Sequence, residues 1–490
     1  MPLLDETRAA KLIELARASF DPELSEAEEQ VLRQSASSAK PPRPEAQGPR
    51  PPIRPEFVRW LATAPDAAAL VDPKGIRLYS VTISGDLDLK ECRVLARLDV
   101  KCCTFEGGIV LRSAETRGIF ILGSKISGPI RGDGVNIHGR LFLLRTECAG
   151  EIRLLGAQID GDLDCGAKLT VEGNALSLDG ATIGGNVFLN RGFECAGMIR
   201  LPGAHIGGDL DCSNSTISAM SCLNMRLEGD LIWVGIRNSE KTWLNLAGAT
   251  VRNFRDDRAS WPGMLVLDGF CYEELTLHRE STPEQIQRRV YAAELPLMAD
   301  ERVAWIKLQP SDRLSEPQPW VHLAKHLEAK GDKTGARHVL YEFACHRANA
   351  SWLLWRPFAK AFAWLEEQPI RICWSIFTLL MLGSLLFWHA SLPSVGAIAP
   401  TNRDAYSAWA KGAAYQIAYP RFQPIVYTLE NELPLIKLGL DDKWAPDPAH
   451  KAAGLVDHYW LLVVCRWLLI ALGWVQATAL AAAIGGRFKS

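Results

Sequence analysis

One stretch of sequence occurs twice in this chain: residues 147–165 read ECAGEIRLLGAQIDGDLDC, and residues 194–212 read ECAGMIRLPGAHIGGDLDC. Each copy contains a unit in which an aliphatic residue, a glycine and an apolar pair alternate with spacers, as in Ile159-x-Gly161-x-Leu163-x-Cys165. The unit recurs from about residue 81 to residue 233. Its glycines lie ten to twelve residues apart, at positions 107, 118, 128, 139, 150, 161, 173, 185, 197 and 208.

This repeat predicts a parallel β-solenoid, a β-helix of the pentapeptide-like kind. Alternating apolar and polar residues form short strands, and glycine permits a sharp corner where a β-carbon would clash. Stacked coils bury the apolar column and pair each strand with the strands above and below it. If two units close one turn, a coil has roughly 20–24 residues. The end coils keep unpaired edges, so we expect helices before residue 79 and after about residue 273 to cap them.

The cysteines and aspartates of the repeat have structural interpretations. Cys165 and Cys212 occupy the position that Leu89 holds in another unit, so we expect them in the core. Twelve cysteines in 490 residues are too few for a disulfide scaffold. The aspartates that alternate with the apolar column are expected to face solvent, namely Asp86, Asp88, Asp162, Asp164, Asp209 and Asp211.

The charge balance of the whole chain bears on its partners. It has 54 Lys and Arg against 56 Asp and Glu, a formal net charge of −2. A protein that binds nucleic acid by bulk charge is strongly basic. We therefore predict no nucleic-acid partner.

The last quarter of the chain contains two long apolar stretches. Residues 372–392 carry no formal charge, and residues 459–486 carry one, Arg466, whose long side chain we expect to reach the membrane interface. Each stretch is long enough to cross a hydrocarbon core of ~30 Å. The alternative for each is a buried helix of a soluble protein. We predict a two-helix transmembrane hairpin, with the lipid bilayer as a partner.

The flanking charges orient this hairpin. Arg371 precedes the first span, and Arg487 and Lys489 follow the second. Because basic residues favour the cytoplasmic side, we expect both chain ends in the cytoplasm and the connecting loop outside. The N-terminus lacks the pattern of a secretory signal, in agreement with that orientation.

Two sets of residues near the spans are candidate contacts. Small residues recur every four positions on the second span, where they permit close helix packing, either against the first span or between protomers: Gly473, Ala477, Ala481 and Gly485. The loop is rich in aromatic residues, which suit packing on lipid headgroups, contact with a partner or a lid over the spans: Tyr415, Tyr419, Tyr427 and Trp444.

The region between the solenoid and the spans reads as helical. Residues 317–347 predict two antiparallel helices around Gly331, a single helix-turn-helix unit of the tetratricopeptide kind. His322 and His326 lie four residues apart, but no glutamate stands between them as in a zinc-binding HExxH motif. We predict no metal, no cofactor and no catalytic residue.

The chain is thus predicted to have eight segments. They are N-terminal helices (1–34), a Pro-rich linker (35–55), a capping helix (56–78), the β-solenoid (79–275), a helical connector (276–365), the first transmembrane helix (366–394), an extracytoplasmic loop (395–458), and the second transmembrane helix with a short tail (459–490).

Four motifs carry a family resemblance. They are KGIRLYSVTISGDLDL (74–89), the GAxI-x-GxLxL coils, PWVHLAKHLEAKGDKTGARHVL and YPRFQPIVYTLENELPLIKLGLDDKWAPD (419–447). In this order they resemble bacterial membrane-anchored proteins with degenerate pentapeptide-like repeats, over most of the chain beyond the linker. The resemblance implies the bacterial inner membrane. Some of these proteins are labelled membrane-associated oxidoreductases, which implies redox chemistry as an alternative. A dinucleotide site needs GxGxxG between a strand and a helix, whereas the glycines here recur at solenoid corners.

Three functions are therefore open. The first is a membrane-tethered cytosolic scaffold without catalysis, which binds a protein partner or a second copy of itself through the solenoid. The second is a membrane-associated oxidoreductase. The third is an oligomeric effector that perturbs the membrane or forms a pore.

Overall fold

The computed structural model describes residues 2–20, 24–39, 50–278, 294–295, 298–350, 360, 369–410, 419–433, 436–448 and 458–485. The chain has two compact units, Met1–Leu340 and Tyr341–Ser490. Much of the Pro-rich linker lies outside the described residues.

The described helices are α1 (Pro2–Ser19), α2 (Glu26–Ala36), α3 (Pro55–Thr63), α4 (Pro65–Leu70), α5 (Ala299–Ile306), α6 (Pro317–Ala329), α7 (Lys333–Ala350), α8 (Pro369–Ser391), α9 (Arg403–Ala410), α10 (Pro424–Glu432) and α11 (His458–Gly485).

The first unit contains a parallel β-solenoid, as the repeat predicts. Strands of successive coils pair in four parallel ladders, so a coil contributes four short strands. One ladder contains Pro52–Ile53, Thr82–Ile83, Thr104–Phe105, Lys125–Ile126, Glu147–Cys148, Lys168–Leu169, Glu194–Arg200 and Thr216–Ser221. We call it the first ladder. The second contains Leu87–Asp88, Ile109–Val110, Ile130–Arg131, Ile152–Arg153 and Asn174–Ser177, then the last two strands of the first ladder, then Trp243–Asn245 and Met264–Val266.

Two further ladders complete each coil. The third contains Arg93–Val94, Glu115–Thr116, Asn136–Ile137, Gln158–Ile159, Thr182–Ile183, His205–Ile206, Arg226–Leu227 and Thr250–Asp257. The fourth contains Ile76–Tyr79, Leu98–Lys101, Ile119–Leu122, Leu141–Leu144, Leu163–Asp164, Val187–Phe188, Leu210–Asp211, Asp230–Trp233, Thr250–Asp257 and Cys271–His278. Glu294–Leu295 pairs with the end of the last strand in antiparallel fashion. The small sheet of the second unit pairs Ile398–Pro400 with Trp444–Pro446.

The coil length agrees with the sequence prediction. Along the fourth ladder, the register steps from Ile76 to Leu98, to Ile119, and onward to Leu275. Each step matches a coil of roughly 20–24 residues, as expected if two repeat units close one turn. The nine steps therefore make about nine turns. One unit of each turn runs over the first and second ladders, and the other runs over the third and fourth.

The inside of the coil is a column of buried aliphatic residues and cysteines. Ile83, Ile137 and Leu163 are fully buried, and so are Cys165 and Cys212. The prediction that these two cysteines fill the core is confirmed. Burial raises the pKa of the Cys165 and Cys212 thiols well above the ordinary value, so they stay as neutral thiols in an apolar column.

Glycine is required where one coil stacks closely on the next. A β-carbon on Gly150 would overlap the backbone nitrogen of Pro129 and lie 2.6 Å from the carbonyl carbon of Gly128. Gly173, in contrast, has no atom within 4 Å of the same position. The repeat glycine therefore permits contact between backbones as well as a sharp corner.

We expect Gly150→Ala to lower the free energy of unfolding by about 1–3 kcal/mol, because overpacking between rigid backbones forces the coils apart. Gly173→Ala is the matched control and should change stability by less than about 0.5 kcal/mol. Urea denaturation of the full-length chain, followed by circular dichroism, measures both. Equal midpoints for the two variants would contradict the close stacking at Gly150.

The aspartates of the repeat differ from the sequence expectation at two positions. Asp86 and Asp88 are at least partly exposed, but Asp164 and Asp211 are only 6% and 2% exposed. Asp164 pairs with Arg191 at 2.9 Å, and Asp211 accepts a hydrogen bond from Asn190 Nδ2 at 2.7 Å. The expectation of solvent exposure was wrong there, because side chains of neighbouring coils cover the outward face.

Helices at the N-terminal end cover the first coil. Ser25 and Glu28 form a capping box that starts α2. The buried side chain of Arg77, on the first coil, donates hydrogen bonds to the carbonyl oxygens of Gln34, Ser37 and Ala39 at the end of α2. These bonds attach the helices to the open edge of the solenoid.

Helices at the other end cover the last coils. Arg302 on α5 donates to both carboxylate oxygens of Asp256 at 2.7 and 2.8 Å, and both side chains are fully buried. His322 on α6 lies 3.1 Å from the carbonyl oxygen of Tyr272. α6 and α7 flank Gly331, as the sequence predicts. Solenoid, end helices and apolar C-terminal helices thus match the predicted fold class.

Candidate functional site in the C-terminal unit

The candidate site begins with two long apolar helices, α8 and α11. Within them, Arg371–Ser391 and Tyr459–Ala481 have the length and hydropathy to cross a membrane, and only 22% of each span is buried in the protein. Large apolar side chains on both helices point away from the rest of the unit. On α8 they are Trp374, Phe377, Met381, Leu382, Leu385 and Trp388, and on α11 they include Trp460, Leu461, Trp467, Leu468 and Trp474.

The two helices pack against each other in antiparallel fashion. Gln476 Nε2 on α11 donates to Ser375 Oγ on α8 at 3.1 Å, and Ile372 and Ala479 share a small buried cluster. Farther along, Gly383 on α8 lies close to the side chain of Leu469 on α11. Residue numbers rise on one helix as they fall on the other, so the pair forms a hairpin.

A third, short helix lies against both members of this hairpin. A β-carbon on Gly383 would lie 2.5 Å from Thr428 Cγ2 on α10. On the other side, a β-carbon on Gly473 would overlap the carbonyl oxygen of Glu432. Glycine on each long helix therefore makes room for α10.

Two glutamates at the end of α10 have opposite environments. The carboxylate of Glu430 accepts hydrogen bonds from the backbone N–H groups of Leu438, Gly439, Leu440 and Asp441 at 2.5–3.0 Å. Burial opposes ionisation of Glu430, but these four donors outweigh it and lower the pKa of the carboxyl. Glu430 thereby fixes the chain that follows α10.

Glu432 has no such donors in the described part of the chain. Its side chain is fully buried, and neither carboxyl oxygen has a hydrogen-bond partner among the described residues. Burial raises the pKa of Glu432, because a charge without partners is costly in an apolar surrounding. A neutral carboxyl is the form that suits this position.

Arg466, the one charge of the second apolar stretch, also binds in this region. Its Nε donates to Asn431 Oδ1 on α10 at 2.8 Å, and its guanidinium lies 5.6 Å from the ring centroid of Tyr427. The side chain of Arg466 thus binds α10, which brings polar groups to it. Its reach to the membrane interface stays a prediction.

The aromatic residues of the loop form a small core. Tyr419, Tyr427 and Trp444 are 4%, 0% and 8% exposed, and the rings of Tyr419 and Trp444 lie 6.0 Å apart. Tyr419 Oη donates to the carbonyl oxygen of Lys443 at 2.5 Å. Tyr415 lies outside the described residues. Contact of this set with a partner stays a prediction.

The small residues of the second span do not share one environment. Gly473 is buried against α10, Ala477 is half-buried and Ala481 is exposed. Gly485 ends α11, and its surroundings lie outside the described part of the chain. Association of protomers through these residues stays a prediction.

Sequence reasoning missed α10 as a structural partner of the spans, together with Gly383, Thr428 and Glu432. The signal was the short segment TLENEL, in which two glutamates stand in an apolar run between the two spans. In the described part of the chain, no group of three or more His, Cys, Asp or Glu side chains is placed to hold a metal ion. Comparisons with family models, curated proteins and solved structures give no match.

Proposed function

We propose that this protein is a membrane-tethered scaffold. The hairpin of α8 and α11 inserts into the bacterial inner membrane, both chain ends lie in the cytoplasm, and the solenoid binds a protein partner or a second copy of the chain without catalysis. The exposed apolar side chains of the hairpin carry this proposal. A water-soluble protein rarely exposes a contiguous apolar surface of this extent, whereas lipid tails cover it at no cost.

The solenoid suits the scaffold role because it is long and regular. Nine steps of about 4.8 Å between strands give a body of about 43 Å. Opposite charges alternate along its first ladder at outward positions, in the order Lys125, Glu147, Lys168 and Glu194. A rigid wall with ordered charges offers specific polar contacts to a protein.

A photo-crosslinking experiment tests the scaffold proposal. A photoreactive amino acid replaces Lys125, Glu147 or Lys168 on the first ladder, one at a time, in the full-length chain in its own membranes. Matched sites on the third ladder, Gln158 and Thr182, serve as controls. We expect consecutive positions of the first ladder to capture the same protein and the third-ladder sites to capture none. No capture from the first ladder, equal capture from both ladders, or a purified chain that carries a flavin or nicotinamide spectrum would contradict the proposal.

The position of α10 favours a second candidate, a pore-forming assembly. A short helix with polar residues, held between two spans, is a means of bringing polar groups to membrane depth. Ion conductance of the full-length chain in planar bilayers tests this candidate. Conductance that disappears when α10 is altered would select it, and a monomeric chain without conductance would exclude it.

A further inference from the structure

We propose that Glu432 is a proton-binding site inside the membrane, held between the two spans by α10. This inference rests on the proposed insertion of α8 and α11. In addition to the tether, the protein would then have a titratable carboxyl group inside the membrane. The ligand of this group is a proton.

The depth of Glu432 follows from its contact with α11. Its carbonyl oxygen lies against Gly473, which stands between Tyr459 and Ala481, the two ends of the second span. At a rise of about 1.5 Å per residue, Gly473 is about 21 Å along the helix from Tyr459 and about 12 Å from Ala481. Both ends of the span are therefore remote from Glu432, and a hydrocarbon core of ~30 Å encloses it.

α10 enters the hairpin from the side of the loop that connects the two spans. Thr428, one turn before Glu432, contacts Gly383 near the middle of the first span. The following residues 438–441 return to the aromatic core of the loop, where Leu440 is buried with Trp444. Residues 419–433 thus enter the hairpin from the loop side, and residues 436–441 lie on that side again. Glu432, at the end of α10, lies deeper in the hairpin than Thr428.

Among the described residues, the charged groups around Glu432 are bound elsewhere or lie away from it. Arg466 on α11 is bound to Asn431 and lies over Tyr427. Glu430 on α10 is held by backbone donors, and Asp441 donates its N–H to Glu430. On α8, His389 is exposed, and Arg371 stands at the opposite end of the span from His389. Protonation is the way in which the buried carboxyl avoids an unpaired charge.

A proton fits the site better than a metal cation does. Sodium-like and divalent cations need several oxygen ligands around one point. Both oxygens of Glu432 lack a polar partner among the described residues, and no metal-holding cluster of acidic side chains is present there. A proton needs only the carboxyl itself.

Carbodiimide labelling of the full-length chain in membranes tests the proton site. The O–H of a protonated carboxyl adds across one C=N bond of dicyclohexylcarbodiimide to give an O-acylisourea. The acyl group then moves to nitrogen to give a stable N-acylurea. The adduct keeps all atoms of both reactants and needs no further reagent. Because this reagent partitions into lipid and requires the protonated acid, it selects protonated carboxyls within the membrane.

We expect mass spectrometry to find the dicyclohexyl adduct on Glu432 at a pH where an ordinary glutamate is ionised. Each unit of pH above the pKa of Glu432 should lower the rate about tenfold, because the protonated fraction falls by that factor. In mildly acidic buffer with an added amine, a water-soluble carbodiimide should convert the exposed carboxyl of Asp404 to an amide, with release of a urea, and should spare Glu432. Glu432→Asp should keep a labelled residue at this position, and Glu432→Gln should abolish the adduct.

Two results would overturn the proton site. One is equal labelling of Glu432 by the lipid-soluble and water-soluble reagents, which would place it in water. The other is no adduct on Glu432 in membranes that retain the chain through an alkaline carbonate wash. Release of the chain by that wash would instead refute the tether, so the two failures are distinguishable.

Discussion

Replacement of Asp256 by asparagine is expected to lower the free energy of unfolding of the solenoid by about 3–5 kcal/mol. Asp256 stands on the last coils, and its carboxylate accepts two hydrogen bonds from Arg302 on α5. Both side chains are fully buried. Asparagine keeps the shape of the side chain but leaves the guanidinium charge of Arg302 buried without a counter-ion. An unpaired buried charge of this kind strongly destabilises the folded state.

The Asp256→Asn prediction has a matched control at an exposed ion pair. Arg313 and Asp268 pair at the same end of the solenoid, with Arg313 about half exposed. We expect Asp268→Asn to cost less than about 1 kcal/mol, because solvent screens the pair. Urea midpoints of the two variants, followed by circular dichroism of the full-length chain in detergent, measure the difference. Equal losses would show that α5 does not fasten the end of the solenoid through Asp256.

Replacement of Leu382 by arginine is expected to reduce membrane insertion of the chain about 100-fold. Leu382 is 60% exposed near the middle of the first span. If lipid covers it, a central arginine costs about 2.5–3.5 kcal/mol, and about 1.4 kcal/mol corresponds to a factor of ten. If water covers it, an exposed arginine changes stability by less than about 0.5 kcal/mol. The fraction of chain that resists an alkaline carbonate wash measures insertion.

The control for Leu382→Arg is an exposed leucine of the solenoid. Leu223 is 40% exposed, and Leu223→Arg should leave the carbonate-resistant fraction unchanged. Unchanged insertion of Leu382→Arg as well would mean that the exposed face of α8 is not covered by lipid.

The solenoid was predictable from the sequence because its order is local. An inward-facing apolar residue recurs in each coil. The spacing of Ile159 and Ile183 in the sequence therefore predicts that these two residues pair in the structure, as they do. The cysteines in the core followed from the same repetition, since Cys165 replaces a leucine of other coils. The apolar helices were predictable from length and composition alone.

The environment of the aspartates was not predictable in the same way. The alternation of apolar and polar residues predicts on which side of a strand Asp164 and Asp211 lie. It does not predict which side chain covers them. Arg191 covers Asp164 from the next coil, and Asn190 covers Asp211 from the preceding one. Such contacts depend on the length of each side chain and on the turn that presents it.

The site at α10 was hidden for a related reason. Hydropathy identifies α8 and α11 separately, whereas the place of α10 depends on two glycines, Gly383 and Gly473, on different helices. Gly473 was noted for its spacing with other small residues, and its contact with Glu432 joins segments that are far apart in sequence. Only packing of the three helices shows that a glutamate is buried there.

Labelling of cysteines from the two sides of the membrane tests the central claim most directly, namely that the hairpin tethers a cytosolic solenoid. Cys271 is exposed at the end of the solenoid, and Asp404→Cys would place a thiol at an exposed position in the loop. In intact cells, a membrane-impermeant maleimide should label Asp404→Cys and should label Cys271 only after the cells are permeabilised. Labelling of Cys271 from outside, or protection of both thiols until permeabilisation, would contradict the account.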